Sequence, residues 1–340
     1  MAIRIAACHA SPIFFSASKT TSKAISLIHA AARNNAQLVR PPSPTENHEL
    51  FQRMVAESVY ADGDEIAAVR GAARKPNTIV SIGIPEKYRF STATLVLNHH
   101  RKLMPTFFEK LVWAAGDGHG LRVSKTAQGN IGNLICGENT NPLARYTLMA
   151  QAEQIHISTW PAIWPTRAPT DPGGANYDNV VANRIRAAAH CFEAKCFGVL
   201  CAGFLDSNTD TAAIKMMTEG ASAPHAVKDA SRNSSRGASM FLDPTGPAHP
   251  AFIFSEDGKK EAREFLQDEE GILYADFELD RCVEGKQYHD VVGGYQRLDV
   301  FHLQVNRKRA DPMVFRGEVL TSEGDTFQGS EKLWTLGCRI

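Results

Sequence analysis

At 340 residues, with 37 Lys+Arg against 37 Asp+Glu, the chain has no net charge, which excludes recognition of nucleic acid or an anionic membrane through a general electrostatic field. Hydrophobic residues at 43% are ample for a buried interior, and no apolar run is long enough to span a bilayer. Seven cysteines, an odd number without the paired spacing of a small disulfide framework, point to a reducing compartment; with an N-terminus too quickly polar for a secretory leader, the expected location is cytoplasmic.

In chain order, Ile3 to Ala7 alternate as a first strand, and Thr21 to Ala36 place Ala24, Ile25, Leu27, Ile28, Ala31 and Ala32 at helical spacing ahead of an apolar run at Gln37 to Val39. This predicts a β-α-β opening. A helix near Asp64 to Ala73, a strand at Thr78 to Ile84 and a strand at Gly129 to Ile135 follow. Next come a helix at Pro142 to Glu153, a strand at Gln154 to Ser158, a long helix at Tyr177 to Ala194 and a strand at Phe197 to Ala202. Ser239 to Leu242 and Ala251 to Phe254 read as a strand pair around a Pro244-Thr245-Gly246 turn. Such alternation gives an α/β fold with buried sheets. Thr209 to Arg236, rich in Ser, Ala, Asn and Thr, reads as a surface loop. One domain is expected over residues 1–310, then a polar tail over 311–340 that is partly disordered or wraps a neighbouring subunit.

The run Leu134-Ile135-Cys136-Gly137-Glu138-Asn139-Thr140-Asn141-Pro142 puts a cysteine where an apolar strand gives way to a helix. Asn141 can cap that helix, and Pro142 suits its first position, where a missing N–H costs nothing. Cys136 then sits in the turn, where helix N–H groups favour the thiolate that attacks an electrophilic carbon. A free cysteine is more often a small buried hydrophobe, and that is the reading for Cys191, Cys196 and Cys201, whose spacing fits neither zinc nor an iron–sulfur cluster. His99 and His100 are adjacent, so in a strand they face opposite ways and cannot share a metal. Gly116-Asp117-Gly118-His119-Gly120 lacks the Lys-Ser/Thr of a phosphate loop and reads as a plain turn. No metal and no cofactor are implied.

Upstream of the cysteine lies Asn98-His99-His100-Arg101-Lys102-Leu103-Met104-Pro105-Thr106-Phe107-Phe108-Glu109-Lys110. Downstream lie Ala150-Gln151-Ala152-Glu153-Gln154-Ile155-His156-Ile157-Ser158-Thr159-Trp160-Pro161, then Asn183-Arg184-Ile185-Arg186-Ala187-Ala188-Ala189-His190, and finally Arg281-Cys282-Val283-Glu284-Gly285-Lys286-Gln287-Tyr288-His289-Asp290. Together these runs, extending over most of the chain, resemble the nitrilase branch of the carbon–nitrogen hydrolase superfamily. The resemblance implies a four-layer α-β-β-α sandwich. It also implies Cys136 as nucleophile, Lys102 as stabiliser of the charge that forms on nitrogen or oxygen, and Glu109 as the carboxylate that orients the lysine and water. Trp160 and Gly137 become candidates for contact with the substrate, an organic nitrile hydrolysed with two waters to an acid and ammonia. The Cys-Gly-Glu-Asn-Thr-Asn-Pro run looks more like nitrilases of arylaceto- or aliphatic nitriles than like cyanide hydratases. The family's habit of forming helical homo-oligomers is implied as well.

One departure stands out. The family's general base is a glutamate that follows the second strand in a Phe-Pro-Glu run, whereas this chain reads Leu38-Val39-Arg40-Pro41-Pro42-Ser43-Pro44-Thr45-Glu46-Asn47-His48. The stretch that carries the base is missing rather than substituted, and a second shortening falls between Ile84 and Leu95. A gene-model or splicing error ranks first as explanation, a natural pseudoenzyme active only in assembly second, and rescue by Glu46 last, because three prolines hold it in a stiff segment. An amide-forming nitrile or cyanide hydratase is the remaining alternative.

Overall fold

In the computed structural model the described residues are 2–13, 16–36, 38–39, 56–86, 97–106, 109–110, 113–164, 178–206, 211, 215, 234–310 and 335–337. Strand β1 (Ala2–His9) runs into helix α1 (Ala17–Arg33) and returns as the short β2 (Leu38–Val39), parallel to β1 through Ile5 and Leu38. This is the β-α-β opening that the sequence predicts. Ser16 caps α1 by accepting from the Lys19 N–H, and Ala24, Ile28 and Ala31 form its buried stripe at helical spacing. Helix α2 (Asp64–Arg74) and strands β3 (Ile79–Gly83) and β4 (Asn98–His100) follow.

The chain continues with the hairpin of β5 (Ser124–Thr126) and β6 (Gly129–Ile135), runs through helix α3 (Pro142–Met149), strand β7 (Ile155–Trp160), helix α4 (Asn179–Ala194) and strand β8 (Phe197–Ala202), and reaches β9 (Ser239–Leu242). The remaining strands are β10 (Phe252–Phe254), β11 (Lys260–Ala262), β12 (Phe265–Leu266), β13 (Gly271–Glu278) and β14 (Thr335–Gly337), with the short helix α5 (Arg281–Glu284) after β13. One sheet has the order β11-β10-β13-β1-β2-β3-β14-β4 and the other β12-β9-β8-β7-β6-β5.

Side-chain alternation explains the layering. In β1, Ile3, Ile5 and Ala7 face the core between the sheets, while Ala6 and Cys8 face the other way, against Ile28 and Ala31 of α1 and Val69, Ala72 and Ala73 of α2. In β8, Phe197, Val199 and Cys201 join the central core, and Leu200 and Ala202 turn outward to Ala187, Cys191 and Ala194 of α4. Both sheets are thus buried on both faces, which is why these strands read as apolar runs. The result is the α-β-β-α sandwich. Among the described residues, no helix is long and apolar enough to cross a membrane.

Three expectations need correcting. Ser239–Leu242 and Phe252–Phe254 are not a pair: β9 bonds to β8 and β12, β10 to β11 and β13, and the turn between them carries the chain from one sheet to the other. Helix α3 stops at Met149 rather than Glu153, because Ala152 adopts a left-handed φ of 59° and breaks the helical path. Trp160 ends β7 instead of following it. Of the stretch read as a tail, only Thr335–Gly337 lies among the described residues, and it pairs in parallel with β3 and β4. Glu46 and most of the predicted Thr209 to Arg236 loop lie outside the described residues.

Candidate active site

The site is assembled where β4 and β6 end. Beyond β4 the chain stays buried through Arg101 and Lys102. The Lys102 ammonium donates to the Glu109 carboxylate and, at 3.1 Å, to Thr106 Oγ1, while the Thr106 N–H donates to the same Glu109 oxygen at 2.5 Å. A buried lysine is tolerable only with such pairing, and the carboxylate in turn fixes the ammonium. Gly116 closes over this segment, its N–H bonding to the Lys102 carbonyl at 2.8 Å; any Cβ there would collide with the carbonyls of Arg101 and Lys102.

At the end of β6 the backbone turns sharply. Cys136 has a left-handed φ of 51°, a conformation that a non-glycine residue holds only when its surroundings enforce it. A 3-10 turn over Cys136–Thr140 follows, and Asn141 then caps α3, accepting from the N–H groups of Leu143 and Ala144 at 2.9 and 3.3 Å. The cap and Pro142 fall where the sequence puts them. The thiol, however, gains little from that helix, which starts six residues later. Burial pushes the Cys136 thiol up; the Lys102 charge pulls it back, Glu109 pushes up, and the Gly137 N–H and Arg186 pull down, for a net rise above the ordinary thiol range. The expectation of a helix-stabilised thiolate is therefore corrected, because desolvation outweighs the stabilising partners.

Two residues of the Cys-Gly-Glu-Asn run hold this turn. The buried Glu138 carboxylate accepts from the N–H of Ile135 at 2.7 Å, the N–H of Leu103 at 2.5 Å and His100 Nε2 at 2.8 Å. It therefore ties the cysteine turn to the lysine segment. Asn139 Nδ2 donates to the carbonyls of Leu134 and Cys136 at 3.2 and 3.0 Å. Neither role was read from the sequence, although a carboxylate and an amide within three residues of a strand-end cysteine were visible there. His99 and His100 do face opposite ways, His99 toward Glu86 at 2.8 Å and His100 toward Glu138.

Cys136 opens onto a cavity of about 270 Å³. Gly137, Thr106 and Thr140 form one side, Trp160, Pro161 and Trp164 an aromatic wall, and Asn179, Asn183 and Arg186 of α4 a polar one. Arg186 stacks its guanidinium over Trp160, 4.9 Å from the ring centroid. The fold thus brings Cys136, Gly137 and Trp160 to one cavity, with Lys102 and Glu109 joined to it through Thr106. Among the described residues lining it, none is a carboxylate.

A strained cysteine at a strand end thus lies beside the pair of a buried lysine and a half-buried glutamate in a double-sheet sandwich. The model of the carbon–nitrogen hydrolase family matches residues 4–287, and the chain belongs to that family. It is similar to a nitrilase of Penicillium rubens, 27% identical over an alignment of 343 residues that takes in 93% of this chain and 97% of the relative. It is also similar to an aliphatic nitrilase of Rhodococcus rhodochrous, 29% identical over 91% of this chain and 84% of the relative. Among solved structures, a carbon–nitrogen hydrolase from Helicobacter pylori G27 superposes with a TM-score of 0.60 at 18% identity, over 88% of this chain and 97% of that one.

Proposed function

We propose that the chain hydrolyses organic nitriles of the arylaceto- or aliphatic type to a carboxylic acid and ammonia. The observation that carries this reading is the strained Cys136 facing an aromatic-walled cavity beside the Lys102–Glu109 pair. The names of its relatives, nitrilases from a fungus and from bacteria, support the choice of a nitrile. Cys136 sulfur attacks the nitrile carbon, and the thiol proton passes to the nitrile nitrogen to give a thioimidate. Water adds to that carbon and ammonia departs, leaving a thioester; a second water cleaves the thioester to the acid and restores the thiol. Lys102 stabilises the negative charge of each tetrahedral step, Glu109 holds Lys102 and orients water, and Trp160 and Gly137 seat the substituent and the reacting carbon.

The proton transfers need a base. A general base is commonly worth about 10²–10⁴ in rate, and the family's base segment is what this chain lacks. The alignment of 343 residues exceeds a chain of 340 used at 93%, so parts of the Penicillium relative face no residue here, which supports a shortened sequence. The second reading, an impaired or inactive homologue that acts only in assembly, rests on this shortening and on the carboxylate-free lining among the described residues. Ammonia release from an arylacetonitrile and an aliphatic nitrile, beside a Cys136→Ala control, separates the two. Cysteine-dependent ammonia establishes the enzyme and makes Glu46→Gln the next variant; silence from folded protein favours the inactive homologue, and reinsertion of the glutamate segment then tests the shortening. An amide in place of acid would mean that the thiol, not ammonia, leaves the tetrahedral intermediate.

A further inference from the structure

The scheme leaves one group of buried titratable side chains unused. Glu153, His156 of β7 and His190 of α4 are all within 1% of complete burial. Glu153 Oε1 accepts from His156 Nδ1 at 2.8 Å, and Oε2 accepts from His190 Nε2 at 2.6 Å, with the two imidazoles stacked 3.6 Å apart. Gly132 of β6 makes the room, since a Cβ there would collide with the carboxylate. On its far side, His156 Nε2 lies 2.9 Å from Asn139 Oδ1.

Proton counting gives the charge state. Asn139 uses its Nδ2 to donate to the carbonyls of Leu134 and Cys136, so the atom facing His156 is its oxygen, an acceptor. Glu153 is an acceptor too: burial alone would raise its carboxyl, but the imidazoles bring it down to about 2. With acceptors at both nitrogens, His156 carries both protons as a buried imidazolium. His190 needs only one, and burial together with the neighbouring charged ring lowers it to about 4, so it stays neutral.

We propose that the chain of contacts His190–Glu153–His156–Asn139 positions the nucleophile: the charged His156 ring fixes the Asn139 amide, which grips the Cys136 carbonyl and holds the left-handed backbone that presents the thiol to the cavity. The proposal rests on Cys136 as the reactive thiol. It assigns Asn139 and His156 as positioning residues that touch no substrate. The same three Glu and His side chains lie close enough together to hold a metal ion; the acceptors on both sides of His156 suit protons at its nitrogens instead.

The test reads thiol reactivity, so it does not depend on nitrile turnover. The rate and pH profile of Cys136 alkylation by iodoacetamide are followed by peptide mass spectrometry in the wild type, His156→Gln and Asn139→Ala. The buried Cys191, Cys196 and Cys201 report on folding in the same digest. Expected is slowing between about tenfold and a hundredfold, the scale of a misplaced reacting atom, with the buried thiols still protected. Where nitrile turnover is measurable, kcat falls and KM holds. Wild-type rate and profile in a folded variant would overturn the proposal. Should both variants label at the buried thiols, nitrogen-edited NMR of the wild type decides. Two protected N–H protons on His156 and one on His190 at neutral pH support the assignment; a single proton on His156, or stoichiometric metal in the purified protein, overturns it. Absence of ammonia together with Asn139-dependent alkylation would reject the nitrile reading and leave the positioning role standing.

Discussion

Cys136 and Lys102 are coupled through charge, and the coupling has a sign. Burial raises the thiol while Lys102 lowers it, so thiolate is scarce at neutral pH and alkylation of Cys136 should keep climbing through the alkaline range rather than level off near pH 7. Lys102→Ala removes the pull and strands Glu109, so alkylation at fixed pH should slow, and ammonia release should drop by about 10²–10³. His190 gives a second pH signature. The unfolded chain takes a proton there near pH 6.5, whereas the folded chain refuses it until about pH 4. The unfolded state therefore binds more protons across that interval, and stability falls as pH falls, by up to about 1.4 kcal/mol per unit. Urea melts between pH 7 and pH 4.5 measure this, and His190→Asn should flatten the slope. Glu153 works in the same direction at lower pH: its contribution is whole above the ordinary glutamate range and fades as pH falls toward about 2. Of the candidate site residues, Cys136, Lys102, Glu109, Trp160 and Gly137 were legible as motif positions, whereas Glu138, Asn139 and His156 were not, because their partners are reached only through the fold.

At the scale of elements, the cysteine turn owes its shape to the pieces on either side. Asn141 caps α3 through two N–H groups, so Asn141→Ala should destabilise the protein by about 1 kcal/mol in urea titration. The change should leave the Cys136 backbone strained as before, because its grip comes from Asn139 and Glu138. The interface between the sheets is firmer. Phe197 is fully buried, stacked on Phe277 at 4.3 Å and edge-on to His249 at 5.2 Å. Phe197→Ala should cost about 3–5 kcal/mol, read as a lower denaturation midpoint with an unchanged slope. Most strands and helices were legible because a strand buried on both faces must be apolar and a helix must repeat its apolar residues every three or four positions. The exchange of sheets between β9 and β10 was not, since two short apolar runs flanking a Pro-Thr-Gly turn fit a hairpin equally well.

For the whole molecule, the stretch after α5 is unusual. Tyr288, Tyr295, Leu298 and Phe301 are each about 70% exposed, more large apolar surface in one segment than a monomer ordinarily shows to water. The homo-oligomer that the resemblance implies leads us to expect that a second copy of the chain covers it. Light scattering after size exclusion should give a multiple of the single-chain mass, and the pair Tyr295→Asp with Phe301→Asp should reduce it; a wild-type monomer would sink this expectation. The stretch that follows is tied to the segment between β4 and β5: Arg309 and the Ala310 N–H both engage Asp117, and Arg307 bonds to the Leu121 carbonyl at 2.9 Å.

The sequence by itself determined the alternation of elements, the Asn141–Pro142 helix start and the cysteine at a strand end, because capping, proline geometry and apolar periodicity act over a few residues. It also displayed that no Phe-Pro-Glu run follows Val39, which is a matter of covalent sequence alone. Tertiary structure decided which groups would serve the cysteine. His100 meets Glu138 across 38 positions and His190 meets Glu153 across 37, and no local pattern encodes such pairs. It decided the state of the thiol as well, since desolvation depends on how closely the sheets and helices pack around Cys136, and that burial turned a cysteine expected to ionise easily into one that holds its proton.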